Sequence, residues 1–350
     1  MKMKYILIFS LFLLGCASGS KQQKMSLEKI EESSVDSLVL HPVPGMELWC
    51  SDGLSVCDSC LLILDRCQDK KLYVYRLNDF KCVANIGTVG QGPEDMIFPF
   101  FLHNNVSSSN QQTIYDVNMA RIKTIDIHSL LSGSKEIIKQ NIPLPAEVIG
   151  STDMSQIGDS YYGTKDSNEG LFFIYSQTDS IMKWIPYPKS VQPSEGNKLT
   201  TVGQSRITVH LNQKLVAVAM RYYNQIFLYD NKGEFLKGVT LGKEIEPVYE
   251  SPEKLSTSSE LFFSQISSTD NYIYLVTANQ YYKDTRPASQ RPRDIVVFDW
   301  ELNHVKTFKT NKCIQQLIVD PGYRRLLLLC INDAEEPELY YADFQESQLM

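Results

Sequence analysis

Histidine is scarce in this sequence: His41, His103, His128, His210 and His304 are the five in 350 residues, and no two have the H-x-x-x-H spacing of a helical metal pair. Excess positive charge is missing too. Lys and Arg number 34 against 41 Asp and Glu, so at net charge −7 nothing electrostatic calls for nucleic acid. After the N-terminus no apolar run approaches the 18 residues of a spanning helix. Beyond residue 40 a 3.6-residue period is absent, which argues against helical bundles and doubly wound sheets. There is no G-x-S-x-G elbow and no Gly-Lys-Ser/Thr phosphate loop. No catalytic set, resident metal or cofactor is expected.

The N-terminus, "MKMKYILIFSLFLLGCASGS", holds what is present first: Lys2 and Lys4, then an apolar stretch of ten residues from Tyr5 to Leu14, broken only by Ser10. That is a signal peptide over residues 1–15. Its end, "LLGC", resembles the lipobox of bacterial lipoproteins, which implies lipidation of Cys16. Attached acyl chains would anchor a chain that has no other spanning segment. The alternative is ordinary secretory cleavage near Ala17 or Gly19. Residues 16–34 are polar and read as a flexible tether, with the folded domain over 35–350.

Seven further cysteines make an odd number, so at least one is unpaired within the chain. Cys50, Cys57, Cys60 and Cys67 lie close enough for one or two bridges, and export permits them. "CDSC" at 57–60 is one C-x-x-C without a second pair and carries little redox signal. Cys330, ending "LLLLC", reads as a buried thiol.

Short segments rich in Val, Ile, Tyr and Phe recur, each ending near Asp or Asn at a turn. The first apolar residues of six such units are Leu72, Ile122, Leu171, Ile226, Ile295 and Leu339, spaced 50, 49, 55, 69 and 44 apart. Upstream of each lies another strand, "LLILDR" and "RRLLLLCIN" among them. Near-regular repetition at this length predicts an all-β, six-bladed β-propeller with four antiparallel strands per blade, in preference to a β-sandwich. The last unit lacks an outermost strand. "SVDSLVLHPV" (34–43) has no partner and is expected to complete it, closing the ring without a free edge.

"GTVGQGPEDMIFPFFL" (87–102) resembles the G-x-G-P-x-E-F-x-x-P crossing between blades of NHL-repeat and TolB-like six-bladed propellers. Gly90, Gly92, Pro93, Met96 and Pro99 carry the match, and Asp95 stands where the pattern has its acid. Gly90 and Gly92 are expected to permit positive φ, and Met96 with Phe98 to fill the space between blades. The chain as a whole resembles TolB-like propeller lipoproteins of Bacteroidetes. That resemblance implies an exported envelope protein, lipid-anchored at the outer membrane.

Functional candidates are few. "NQYYKDTRPASQRPR" (279–293) places four cations beside paired tyrosines in an acidic chain, and "RYYNQ" (221–225) fills the equivalent loop one blade earlier. Arg221, Tyr222, Tyr223, Tyr281, Tyr282, Lys283 and Arg286 are therefore the predicted ligand residues, since such groups stack on sugars or grip carboxylates and phosphates. The predicted function is a monomeric binding or interaction module for a glycan or another envelope protein. The alternative is a propeller enzyme of lyase or lactonase type, with His103 and His210 holding a metal in the channel.

Overall fold

Runs such as Leu61, Leu62, Ile63, Leu64 or Leu326, Leu327, Leu328, Leu329 are apolar at every position, so a strand made from them must be covered on both faces. The computed structural model, which describes residues 27–102, 110–167, 169–191, 202–251, 254–320, 322 and 324–349, covers them by stacking blades around an axis. Leu61 and Ile63 pack towards the last blade with Leu327 and Leu329, while Leu62 and Leu64 pack towards the second with Ile114 and Ile125. The same alternation divides Leu326 and Leu328 from Leu327 and Leu329. Every neighbouring pair of blades shares such a seam, including the last with the first.

The six blades are four-stranded antiparallel meanders, with strands a to d running from the axis outwards. Blade 1 is Ser51–Cys57, Cys60–Asp65, Leu72–Arg76 and Cys82–Ile86. Blade 2 is Pro99–Phe101, Gln111–Asp116, Arg121–Asp126 and Ile138–Pro143. Blade 3 is Asp153–Ile157, Ser160–Thr164, Phe172–Ser176 and Ile181–Ile185. Blade 4 is Ser205–His210, Leu215–Met220, Gln225–Asp230 and Phe235–Leu241. Blade 5 is Glu260–Ser268, Tyr272–Tyr281, Ile295–Asp299 and His304–Lys309. Blade 6 takes Cys313–Asp320, Arg325–Ile331 and Pro337–Asp343 from the end of the chain, and its d strand is His41–Pro42, paired antiparallel to Tyr340 and Tyr341.

The N-terminal segment does more than close blade 6. Val35–Ser37 adds a fifth strand, parallel, to the outer edge of blade 5, and Leu27–Ile30 does the same for blade 4. Residues 27–43 therefore form a strap over three successive blades, so the tether expected over 16–34 is corrected for its last part: Leu27–Ile30 is strand. Leu27, Ile30, Leu38 with Leu40, and Val43 each enter the next seam in turn. A side chain on Gly238 would fall 2.9 Å from Leu27 Cδ2, so this glycine leaves the space that the strap fills. The signal peptide, Cys16, the tether through residue 26 and His103 lie outside the described residues.

Two local features depart from the regular pattern. Blade 2 inserts a helix, Ile127–Leu131, between strands c and d, capped by Asp126 accepting the Ser129 N–H at 2.7 Å. The 69-residue spacing arises partly from a small hairpin, Tyr249–Ser251 with Lys254–Leu255, in the crossing from blade 4 to blade 5, and not only from the loop after Tyr281.

Candidate functional site

The innermost strands differ from the apolar b strands in alternating polar with apolar residues: "SDGLSVC", "SRITVH" and "CIQQLIVD" are examples. Their polar side chains meet around the axis. Ser155 Oγ donates to Ile207 O at 3.5 Å, Ile207 N donates to Asp153 Oδ2 at 3.1 Å, and Thr208 and Ser268 hydroxyls pair at 2.7 Å. At the end of the ring where the b–c loops gather, the channel widens into a cavity of about 340 Å³. The a strand of every blade contributes to it, from Asp52 in blade 1 to Gln316 in blade 6. A second cleft, about 370 Å³, shares Phe100, Arg206 and Arg221 with it.

Three arginines line this mouth. Arg206 stands on the a strand of blade 4 and donates Nε to Ser264 O at 2.8 Å. Arg293, in the b–c loop of blade 5, donates to Ile314 O at 2.6 Å and to Gln280 Oε1 at 2.8 Å, while its buried Nε has no partner. Arg221 starts the b–c loop of blade 4. Burial first, then the charge of Arg206, hold its guanidinium below its ordinary pKa. Arg293 is shifted the same way, burial again leading and Arg291 and Arg221 adding to it. At the rim, Arg66 lies 3.5 Å above the Phe98 ring and 4.5 Å from that of Phe100, with its Nε on Asp52 at 2.5 Å.

The seven predicted ligand residues do not converge. Arg221 reaches the channel mouth. Tyr222 and Tyr223, 3% and 4% exposed, belong to the core, where Tyr222 meets Tyr282 edge-on at 6.4 Å. Tyr281 and Arg286 line a separate cavity of about 650 Å³ on the rim, together with Glu31 and Glu32 of the strap. There Arg286 is held by Asp284 at 2.5 Å, and this pairing keeps the Asp284 carboxyl far below the usual range. Lys283 is exposed, 5.3 Å from the Tyr282 ring. The two tyrosine pairs look alike in sequence, but Tyr222–Tyr223 packs inward where its loop is short and Tyr281 stands outward on a longer one. His210 is not a channel ligand: it is buried against the Trp300 ring at 4.9 Å, at the far end of its strand. Among the described residues no three His, Cys, Asp or Glu come together as a metal site.

A family model of TolB-like 6-blade propeller-like proteins matches residues 53–321. The chain belongs to the TolB-like six-bladed propellers. A solved member of the DUF4221 family from Bacteroides vulgatus superposes on this TolB-like propeller with a TM-score of 0.57 at 11% identity, over 89% of this chain and 96% of that one. A Bacteroides fragilis protein named for its expected export gives 0.55 at 12%, over 91% and 100%. A luciferin-regenerating enzyme gives 0.50 at 8%, over 87% and 95%. At such identities the likeness is one of fold alone. No curated protein matches the chain.

In this TolB-like propeller the glycine-rich crossing takes a different form from the expected one. Gly90 and Gly92 do not have positive φ; Gly87 does, at 82°. What Gly90 needs is room, because a Cβ there would fall 2.2 Å from Asp95 Oδ2. Asp95 accepts the Thr88 hydroxyl at 2.6 Å and the Gly92 N–H at 2.7 Å, and these bonds lower its pKa. The amide that a phosphate loop would turn to its ligand is thus occupied by the chain's own carboxylate. Pro93 follows in the same turn, Met96 is fully buried between blades 1 and 2, and Pro99 opens the a strand of blade 2.

Sequence reasoning missed Arg206, Gln265, Gln280 and Gln316 as mouth residues. For Arg206, Gln265 and Gln316 the signal is the polar alternation of their a strands, clear in "SRITVH" and "CIQQLIVD" but absent from the "PFF" of blade 2; Gln280, at the end of a b strand, had none.

Proposed function

We propose that the protein is an exported binding module, held at the cell envelope by a lipid on Cys16, that meets its ligand at the arginine-lined end of the ring. One observation carries the binding reading: a cavity built by all six blades holds Arg221, whose guanidinium has no hydrogen-bond or ion-pair partner among the described residues. A half-buried guanidinium left without a direct hydrogen bond or ion pair lowers stability, so a site that keeps one is a candidate for function. The address is supported by the signal peptide and "LLGC" at 13–16, and it agrees with the name of the B. fragilis structural relative. A glycan or another envelope protein, the partners expected from the sequence, can each present an acidic group to this mouth.

Each half of the proposal has its own test. Cys16→Ala should move the protein from the membrane fraction to the soluble one, and persistence in the membrane pellet would refute lipid anchoring. For binding, compounds that raise the melting temperature should slow amide exchange around residues 204–206 and 221. Protection confined to the opposite end of the ring would remove this face from consideration.

A further inference from the structure

The channel mouth has more positive charge than its own acids neutralise. Three arginines, Arg206, Arg221 and Arg293, stand on its wall against two carboxylates, Asp153 and Asp52, and Asp52 is already bound by Arg66 at the rim. Asp166, the acid acting on Arg221 from its flank, accepts Gln204 Nε2 at 2.9 Å. Arg206, Arg221 and Arg293 therefore press on one another in a chain whose net charge is −7. A planar guanidinium fork matches an oxyanion by two parallel hydrogen bonds, and partial burial makes such a bond stronger than it is in water. Between the arginines stand glutamine amides, which donate to and accept from hydroxyl or amide groups along a carbon skeleton. Inorganic phosphate is too small to set its hydroxyl and oxygens against several amides at once, so the spread of the amides favours an organic acid. The volume, about 340 Å³, lies at the lower end of small-molecule sites.

We propose that the channel mouth binds a small organic acid, its carboxylate in the fork of Arg221 between Arg206 and Arg293 and its body hydrogen-bonded by Gln265, Gln280 and Gln316. The inference rests on the reading of this end of the ring as the binding face. Arg221, with no other partner, makes the bidentate contact. Arg293, already tied to Ile314 O and Gln280, fixes the amide beside it and contributes charge.

The test is calorimetric titration of the full chain with galacturonate, citrate and N-acetylglycine, with galactose as a neutral counterpart and inorganic phosphate as the competing oxyanion. At least one organic acid should bind, more weakly as salt rises, and galactose should not. Arg221→Gln should weaken that acid by roughly tenfold or more. The same variant without ligand should melt at or above the wild type, because it removes a half-buried charge that has no direct ion pair. Arg286→Gln, in the rim cavity, should leave binding unchanged. A lower melting temperature for Arg221→Gln would mark the guanidinium as structural and overturn the proposal. An acid that protects residues 204–206 from exchange yet binds Arg221→Gln equally well would overturn the carboxylate contact and leave the binding face standing. Binding of phosphate alone would overturn the organic-acid class in the same way. Exchange protection by none of the five probes at this mouth would overturn both the ligand class and the face.

Discussion

Asp65 and Asp116 do the same work in successive blades. Each ends a b strand and gathers N–H groups from two loops: Asp65 from Trp49 and Cys67, Asp116 from Ile97, Phe98, Asn118 and Met119. One carboxylate thus ties the entry of its blade to its own turn. Histidines give the residue scale its pH dependence. Burial lowers the pKa of both His210 and His304, and the Ser33 N–H donates to His304 Nδ1 at 3.1 Å, which needs that nitrogen unprotonated. The unfolded chain therefore binds more protons than the folded one below the ordinary value of 6.5. The stability these groups contribute is complete above that pH and is lost as pH falls towards their lower folded values. Melting curves from pH 8 to pH 5 should show the temperature falling, and less steeply in His304→Gln; a flat wild-type profile would contradict the assignment. In the sequence both histidines were visible as residues. Their burial was not, since Trp300 and the strap that cover them lie 90 and 271 positions away.

At the scale of single elements, the loop carrying Arg66 is held by the disulfide Cys50–Cys67, whose Cα atoms are 5.3 Å apart and whose cysteines are 17 positions apart. A loop of that length makes the bridge worth about 3 kcal/mol. Denaturant titration of the Cys50→Ser, Cys67→Ser double variant should show a loss of that order, and no change would mean the bridge closes a loop that is already ordered. The cluster of four cysteines was legible in the sequence; the pairing was not. Cys57 and Cys60 are neighbours across a tight turn but lie in the seam between blades 1 and 2, where burial pushes the Cys57 thiol up to about 12. That holds it protonated and unreactive. Strands b and c were the most readable elements, because a strand covered on both faces must be apolar throughout. Strands d and the strap were the least readable: "LEKIEESSVDS" covers only Leu27, Ile30 and Ser34, each in part, at an outer edge, and nothing in its composition separates it from a tether.

For the whole molecule, the ring was legible because six units repeat, and the candidate site was not, because its residues come singly from units about fifty positions apart. Arg221 was found by its neighbours Tyr222 and Tyr223, which turned out to be core. Closure is a property of the ring as a unit. Deleting residues 27–43 should lower the melting temperature more than deleting 27–34, since only the longer deletion removes His41–Pro42 from blade 6 and Val43 from the seam with blade 1. Equal melting temperatures would show that the strap does not close the ring. The strap also has a mechanical consequence. If the N-terminus is tethered, tension arrives first at Leu27–Ile30 on blade 4, then at Val35–Ser37 on blade 5, and only after both have given way at the two-residue clasp on blade 6. The strap is a strain relief: drag on the leash is absorbed two blades before it can unlatch the ring.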